Sequence, residues 1–117
     1  MADIVERYLD AIASHDWDMV DETIADDIVR VGPYGDRYAG RDDYVAFLAD
    51  LMPTLPGYEM EITRVTYAGD RIAFAELAET VDVDGAPLRT PECLTFELAD
   101  DGRIRRVEVF TQSRAPV

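Results

Sequence analysis

Two glutamates stand where apolar residues are expected. Across residues 71–83 the odd positions read Ala73, Ala75, Leu77, Glu79, Val81 and Val83; across 92–98 the even positions read Glu92, Leu94, Phe96 and Leu98. Side chains two apart on a strand share a face, so each row carries one carboxylate into apolar surroundings. Such surroundings raise a carboxyl pKa and bring it nearer to a working acid or base at neutral pH. One register slip would turn either glutamate out to solvent instead.

A second stretch, "RVGPYGDRYAGR" at 30–41, gathers three glycines, a proline and three arginines. It contains neither Gly-x-Gly-x-x-Gly nor Gly-Lys-Ser/Thr, which weakens a phosphate cradle and leaves a turn or a pocket mouth. Other chemistries lack their parts. Nucleophilic catalysis needs a histidine beside the nucleophile, and the single His15 falls in an interhelical loop. Zinc wants three or four nitrogen or sulfur ligands, more than His15 and its aspartates supply. Cys93 lies on the opposite strand face from Glu92 and reads as an inert thiol. Acid–base or binding chemistry in a cavity of Tyr, Arg and Glu remains, with no metal and no cofactor expected.

The elements that must position these groups are legible. Asp3-Ile4-Val5-Glu6 has the form of a capping box, followed by Ile4, Val5, Tyr8, Leu9 and Ile12 at helical spacing. This helix should end near Ser14-His15. Asp16 caps a second helix with Trp17, Val20 and Ile24 on one face, closing at Ala25-Asp26-Asp27. A short strand follows at 28–31. A third helix from Asp42 carries Tyr44, Val45, Phe47, Leu48 and Leu51 and breaks at Pro53 and Pro56-Gly57. Strands are expected at 58–68, 71–83, 88–99 and 103–112, joined by Ala68-Gly69-Asp70, Asp84-Gly85 and Asp100-Asp101-Gly102. Helices first and a strand meander second give an α+β domain, residues 1–117, with helices packed on a curved antiparallel sheet.

Composition narrows the partners. The 117 residues are 48% hydrophobic and 31% charged, as in a folded domain with one core. The net charge is −14, and all eleven basic residues are arginines. That surface repels nucleic acid and anionic membranes, so neither is expected as a partner. No secretory-signal order opens the chain, and one cysteine suits a reducing compartment, so a complete cytoplasmic protein is expected.

The stretch "ERYLDAIASHDWDMVDETIADDIVRVGPYGDRYAGRDDYVAFLADL", the later "ADDGRIRRVEVFTQ", and the helices-then-meander order resemble the SnoaL-like polyketide cyclase and ketosteroid isomerase superfamily. That resemblance implies the cone-shaped fold of nuclear transport factor 2, with the 30–41 loop at the cavity mouth. Tyr8 matches the helix-1 tyrosine that donates to a substrate oxyanion. Gly32 stands where ketosteroid isomerases carry their catalytic aspartate, and Leu94 where they carry a protonated one. Limonene epoxide hydrolases use an Asp-Arg-Asp network; Asp82 matches one aspartate, but Thr80 and Val109 replace its partners. The resemblance therefore implies neither standard activity.

What it implies is a small hydrophobic ligand in a cone, with Tyr8, Glu79 and Glu92 as catalytic candidates. Arg30, Tyr34, Phe47, Leu48, Leu77, Leu94, Phe96, Val107 and Val109 are the candidate substrate contacts. For Arg30 two indications conflict: the resemblance turns it inward, whereas the apolar Val29 and Val31 would turn it out. Two functions stay open, a proton-transfer enzyme acting next to a carbonyl and a non-catalytic binding or dimerisation module. A homodimer through the outer sheet face is expected from apolar residues on both faces of the last strand, Val107 and Val109 against Ile104 and Phe110. The charge makes a separate prediction. Self-repulsion is screened by salt, so the melting temperature should rise from dilute buffer to molar KCl, and a flat profile would refute this.

Overall fold

Asp3 starts the first helix by accepting a hydrogen bond from the Glu6 N–H at 2.7 Å. In the computed structural model, which describes residues 3–112, this helix α1 spans Ile4–Ala13 and buries Val5, Tyr8, Leu9, Ala11 and Ile12. Asp16 caps α2, Trp17–Thr23, through the Met19 N–H at 3.2 Å. The chain then turns directly into strand β1, Ile24–Val31. The expected helical end at 25–27 is thus strand. Ile24 and Ile28 are both fully buried, and Ile24 pairs with Ile104, so sheet pairing overrides the local helical pattern. Asp26 and Asp27 are exposed where the register of β1 shifts between Ile24 and Val29.

The glycine-rich stretch is a hairpin. Short strand β2, Arg37–Ala39, was not evident from sequence and pairs back on β1 with Arg30 opposite Tyr38. Helix α3, Arg41–Leu51, and a 3₁₀ turn at Met52–Thr54 lead to the long strands: β3 Glu59–Ala68, β4 Ile72–Val83, β5 Ala86–Leu98 and β6 Ile104–Thr111. Their order is β2-β1-β6-β5-β4-β3. Every pairing is antiparallel except β1 with β6, which is parallel and makes the sheet mixed. This is the α+β arrangement of three helices on a curved, unclosed sheet. The free edge at β3 carries a register shift between Ile62 and Arg64.

Registers align the inward face in rows. Val107, Phe96 and Ala73 form one row, and Val109, Leu94 and Ala75 the next. Then come Thr111, Glu92 and Leu77, and finally Thr90, Glu79 and Met60. The rows run from a packed core to a cavity, so the sheet itself grades from apolar to polar. Ile104 corrects the sequence reading: it is buried, not on Phe110's outer face. An irregularity between Glu97 and Leu98 places Leu98 opposite Ile104 and flips that end of β6 inward.

Candidate functional site

The polar end of that sheet face opens into a cavity of about 420 Å³ between the sheet and the helices. Tyr8 enters from α1, Tyr44, Phe47 and Leu48 from α3, and Arg30 from β1. Glu79 and Glu92 enter from adjacent strands. Glu79 is opposite Thr90 and Glu92 is opposite Leu77, so the two glutamates are diagonal neighbours on one face, within reach of long side chains. Arg30, Tyr34, Leu77, Leu94, Val107 and Val109 also line the space. Phe96 does not: it is 2% exposed and lies in the core beneath Tyr8, edge-on, with ring centroids 5.9 Å apart.

Two polar clusters lie among the apolar walls of this cavity. In the first, the hydroxyls of Tyr8 and Tyr44 are 2.5 Å apart. Either oxygen can be the donor, and the pair as a whole keeps one proton free for a third oxygen. Burial, above all, pushes both hydroxyls up and keeps them protonated, while the nearby Arg30 charge opposes that rise. In the second cluster the Tyr58 hydroxyl donates to Glu79. Burial is the main force on Glu92, joined by a hydrogen bond with Glu79 and by Glu79's like charge; together they push its carboxyl up to about 9, against the pull of Arg30. Glu92 therefore keeps its proton in neutral solution.

Arg30 resolves the conflict in its own strand. Its side chain is 14% exposed, lines the cavity, lies 5.4 Å from the Phe47 ring centroid and pairs with Asp36 at 2.9 Å. Neighbouring Val29 and Val31 are only half-buried, so apolar type misjudged which side of β1 faces inward. Tyr34 sits at the mouth, 93% exposed. Sequence reasoning missed Tyr44 and Tyr58 as polar members of the site. Tyr44 belonged to an apolar helical stripe, and Tyr58 opened an apolar strand row with Met60 and Ile62. Their hydroxyl partners are 36 and 21 residues away, separations that no local pattern reveals.

Of the positions tied to other chemistries, Leu94 and Val109 line the cavity as apolar wall, and Asp82 and Thr80 fall elsewhere. Asp82 is exposed, its backbone N–H bonded to the Pro56 carbonyl at 2.8 Å, and Thr80 lines a separate outer groove. Among the described residues no group of three His, Cys, Asp or Glu side chains is placed to hold a metal ion. No helix there is long and apolar enough to cross a membrane.

The raised Glu92 carboxyl has a thermodynamic consequence. The folded chain holds that proton up to about 9, whereas the unfolded chain releases it near the ordinary 4.5, so between these values the native state binds more protons. This stabilisation is complete at the acid end and is lost as pH rises through the folded value. Melting temperature should therefore fall from about pH 6 to about pH 9, and Glu92→Gln should flatten that slope. An identical slope in the variant would show that the carboxyl is ionised in the fold.

Comparison with known proteins agrees with this architecture. A SnoaL-like domain model matches residues 5–107. Among curated proteins, none matches. An epoxide hydrolase from M. tuberculosis, of the kind related to limonene epoxide hydrolase, superposes with a TM-score of 0.79 at 27% identity, over 93% of this chain and 80% of that one. A candidate ketosteroid isomerase from Kribbella flavida gives 0.82 at 21% identity, over 97% and 78%. A candidate SnoaL-like polyketide cyclase from Jannaschia sp. CCS1 gives 0.80 at 23%, over 93% and 83%. With its helices, its open sheet and nearly the whole chain within the match, the protein belongs to the SnoaL-like domain family.

Proposed function

We propose that the cavity is a catalytic site for proton transfer next to the carbonyl of a small hydrophobic substrate. The observation that carries this reading is that Glu79, Glu92 and the paired Tyr8 and Tyr44 hydroxyls line one mostly apolar cavity, where burial pushes the Glu92 carboxyl up. Glu79, the accepting carboxylate, takes a proton from the carbon beside the carbonyl. As that C–H bond breaks, its electron pair moves into the new carbon–carbon double bond and the carbonyl oxygen becomes an enolate. The free proton of the tyrosine pair bonds that oxygen as charge develops, which favours the transition state over the ground state. Glu92 or the newly protonated Glu79 then returns a proton to carbon, completing an isomerisation; alternatively the enolate carbon bonds to a second carbonyl carbon, whose π pair moves onto its oxygen, and that alkoxide takes the proton held by Glu79.

The open cavity supports this over a plugged cone. Phe47, Leu48 and Met52 line its walls without filling it. No cofactor enters these steps, and we take the cytoplasm as the working compartment. Tyr8→Phe and Tyr44→Phe should each weaken binding of an enolate-mimicking phenol about tenfold, the scale of one hydrogen bond to a developing charge. Glu79→Gln should keep phenol binding and abolish solvent deuterium exchange at the α-carbon of a bound cyclic ketone, followed by NMR. Phenol binding without exchange in the wild type would make the protein a binding module instead. Phenol binding indifferent to both tyrosines would remove the oxyanion site.

A homodimer through the outer sheet face belongs to the same proposal. Phe110 is 54% exposed there, beside a shallow groove that Cys93, Thr63 and Glu76 also line. An exposed aromatic on a strand face of this kind marks a contact surface, and a second copy can cover it symmetrically. Light scattering in high salt should return the mass of two chains, and Phe110→Glu should return one; a wild-type monomer at high micromolar concentration would overturn the dimer.

A further inference from the structure

The hairpin at the cavity mouth does more than turn the chain. The Gly32 N–H donates to the Asp36 carbonyl at 2.7 Å and the Gly35 N–H to the Gly32 carbonyl at 3.0 Å, folding Asp36 back over Arg30. A Cβ on residue 32 would stand 2.3 Å from Asp36 Oδ1 and 2.6 Å from Arg30 Nη1. A side chain here would push the ends of both partners from their present places, so glycine contributes space, since its φ is not in the left-handed region. The pair, at 2.9 Å, holds the guanidinium over Phe47 and inside the cavity wall.

The geometry points to Arg30 as the fixed charge that sets the acidity of the Tyr8–Tyr44 pair, held for that task by Asp36 in the space that Gly32 leaves empty. This rests on the enolate reading above and deepens it. A buried hydroxyl pair is a poor acid by itself, because burial disfavours a charged oxygen. A cation fixed nearby offsets part of that penalty and costs no reorganisation when charge appears on a ligand oxygen. The other charged and titratable groups around it are Tyr34 and Asp36 on the hairpin, Tyr38 opposite it on β2, Tyr8 on α1, Tyr44 on α3, Tyr58 before β3, and Glu79 and Glu92 on the sheet. Of these only the carboxylates oppose an oxyanion, and Arg30 is the basic side chain lining the cavity. Its charge lowers Tyr8, Tyr44 and Glu92 alike. Arg30 acts through the tyrosines, so its role is positioning and polarising, and the ligand class it favours is a neutral enol or phenol that ionises on binding.

The probe is 4-nitrophenol, whose phenolate is coloured, titrated into the full chain from about pH 5 to about pH 9. The bound phenol should ionise at lower pH in wild type than in Arg30→Met, which keeps the stem on Phe47 and loses the charge. The expected difference is about one pKa unit, tenfold in the phenolate-to-phenol ratio. Arg30→Lys should restore most of it. Any loss of unsubstituted phenol binding below neutrality should be smaller than the loss of phenolate, a split that a merely structural arginine would not give. If Arg30→Met does not fold by circular dichroism, Arg30→Gln takes its place. Equal phenolate fractions in wild type and the neutral variant, with Tyr8→Phe still impairing binding, would overturn the arginine's role and leave the tyrosine site standing. Uptake of neutral phenol only, indifferent to Tyr8→Phe, would overturn both.

Discussion

The burial of two carboxyl groups beside each other is the constraint around which this protein is arranged. Neighbouring carboxylates in a partly dry site cannot both ionise cheaply, so one retains its proton and the pair behaves as a single acid–base unit. Here burial and the charge of Glu79 push the Glu92 carboxyl up, and the Tyr58 hydroxyl donates to Glu79. Everything that brings the two together is backbone. The antiparallel register of β4 and β5 sets them diagonally on one face, and the helices packed on the other side of the cavity keep most water away.

The tyrosine cluster is balanced in a complementary way. Tyr8 and Tyr44 come from helices far apart in sequence, and their hydroxyls meet because α1 and α3 pack on the same sheet face. Phe96 lies against Tyr8 from below, so the floor of the site is also the centre of the core. A change in core volume at that point therefore reaches the hydroxyl pair within one layer of side chains.

How much of this was legible follows from the range of the physical signal. Turn chemistry is local, so Asp84-Gly85 and Asp100-Asp101-Gly102 marked the strand joints within a few residues. Alternation is local too, and it brought Glu79 and Glu92 to one face once both strands were correctly bounded. What escaped was set by partners distant in sequence. Ile24 was drawn from helix into strand by pairing with Ile104, and the irregularity that turned Ile104 inward has no sequence mark of its own. Arg30 misled because an arginine between valines reads as the exposed member of the row, whereas an ion pair with Asp36 lets it lie against the cavity. Tyr58 read as the first apolar member of its strand row, and only the fold brings its hydroxyl to Glu79.

The open edge of the sheet bears on how the protein survives at high concentration. Among the described residues no strand pairs on the outer side of β3, which leaves a template onto which another extended chain can add. Glu59, Glu61 and Arg64 place charge along that strand, and the shift between Ile62 and Arg64 breaks its flat hydrogen-bonding line. An incoming strand would meet both a kink and mismatched charges before it made several consecutive bonds. The same openness that gives the cone its mouth is thus guarded against polymerisation, and the edge can stay uncovered without a further element to cap it.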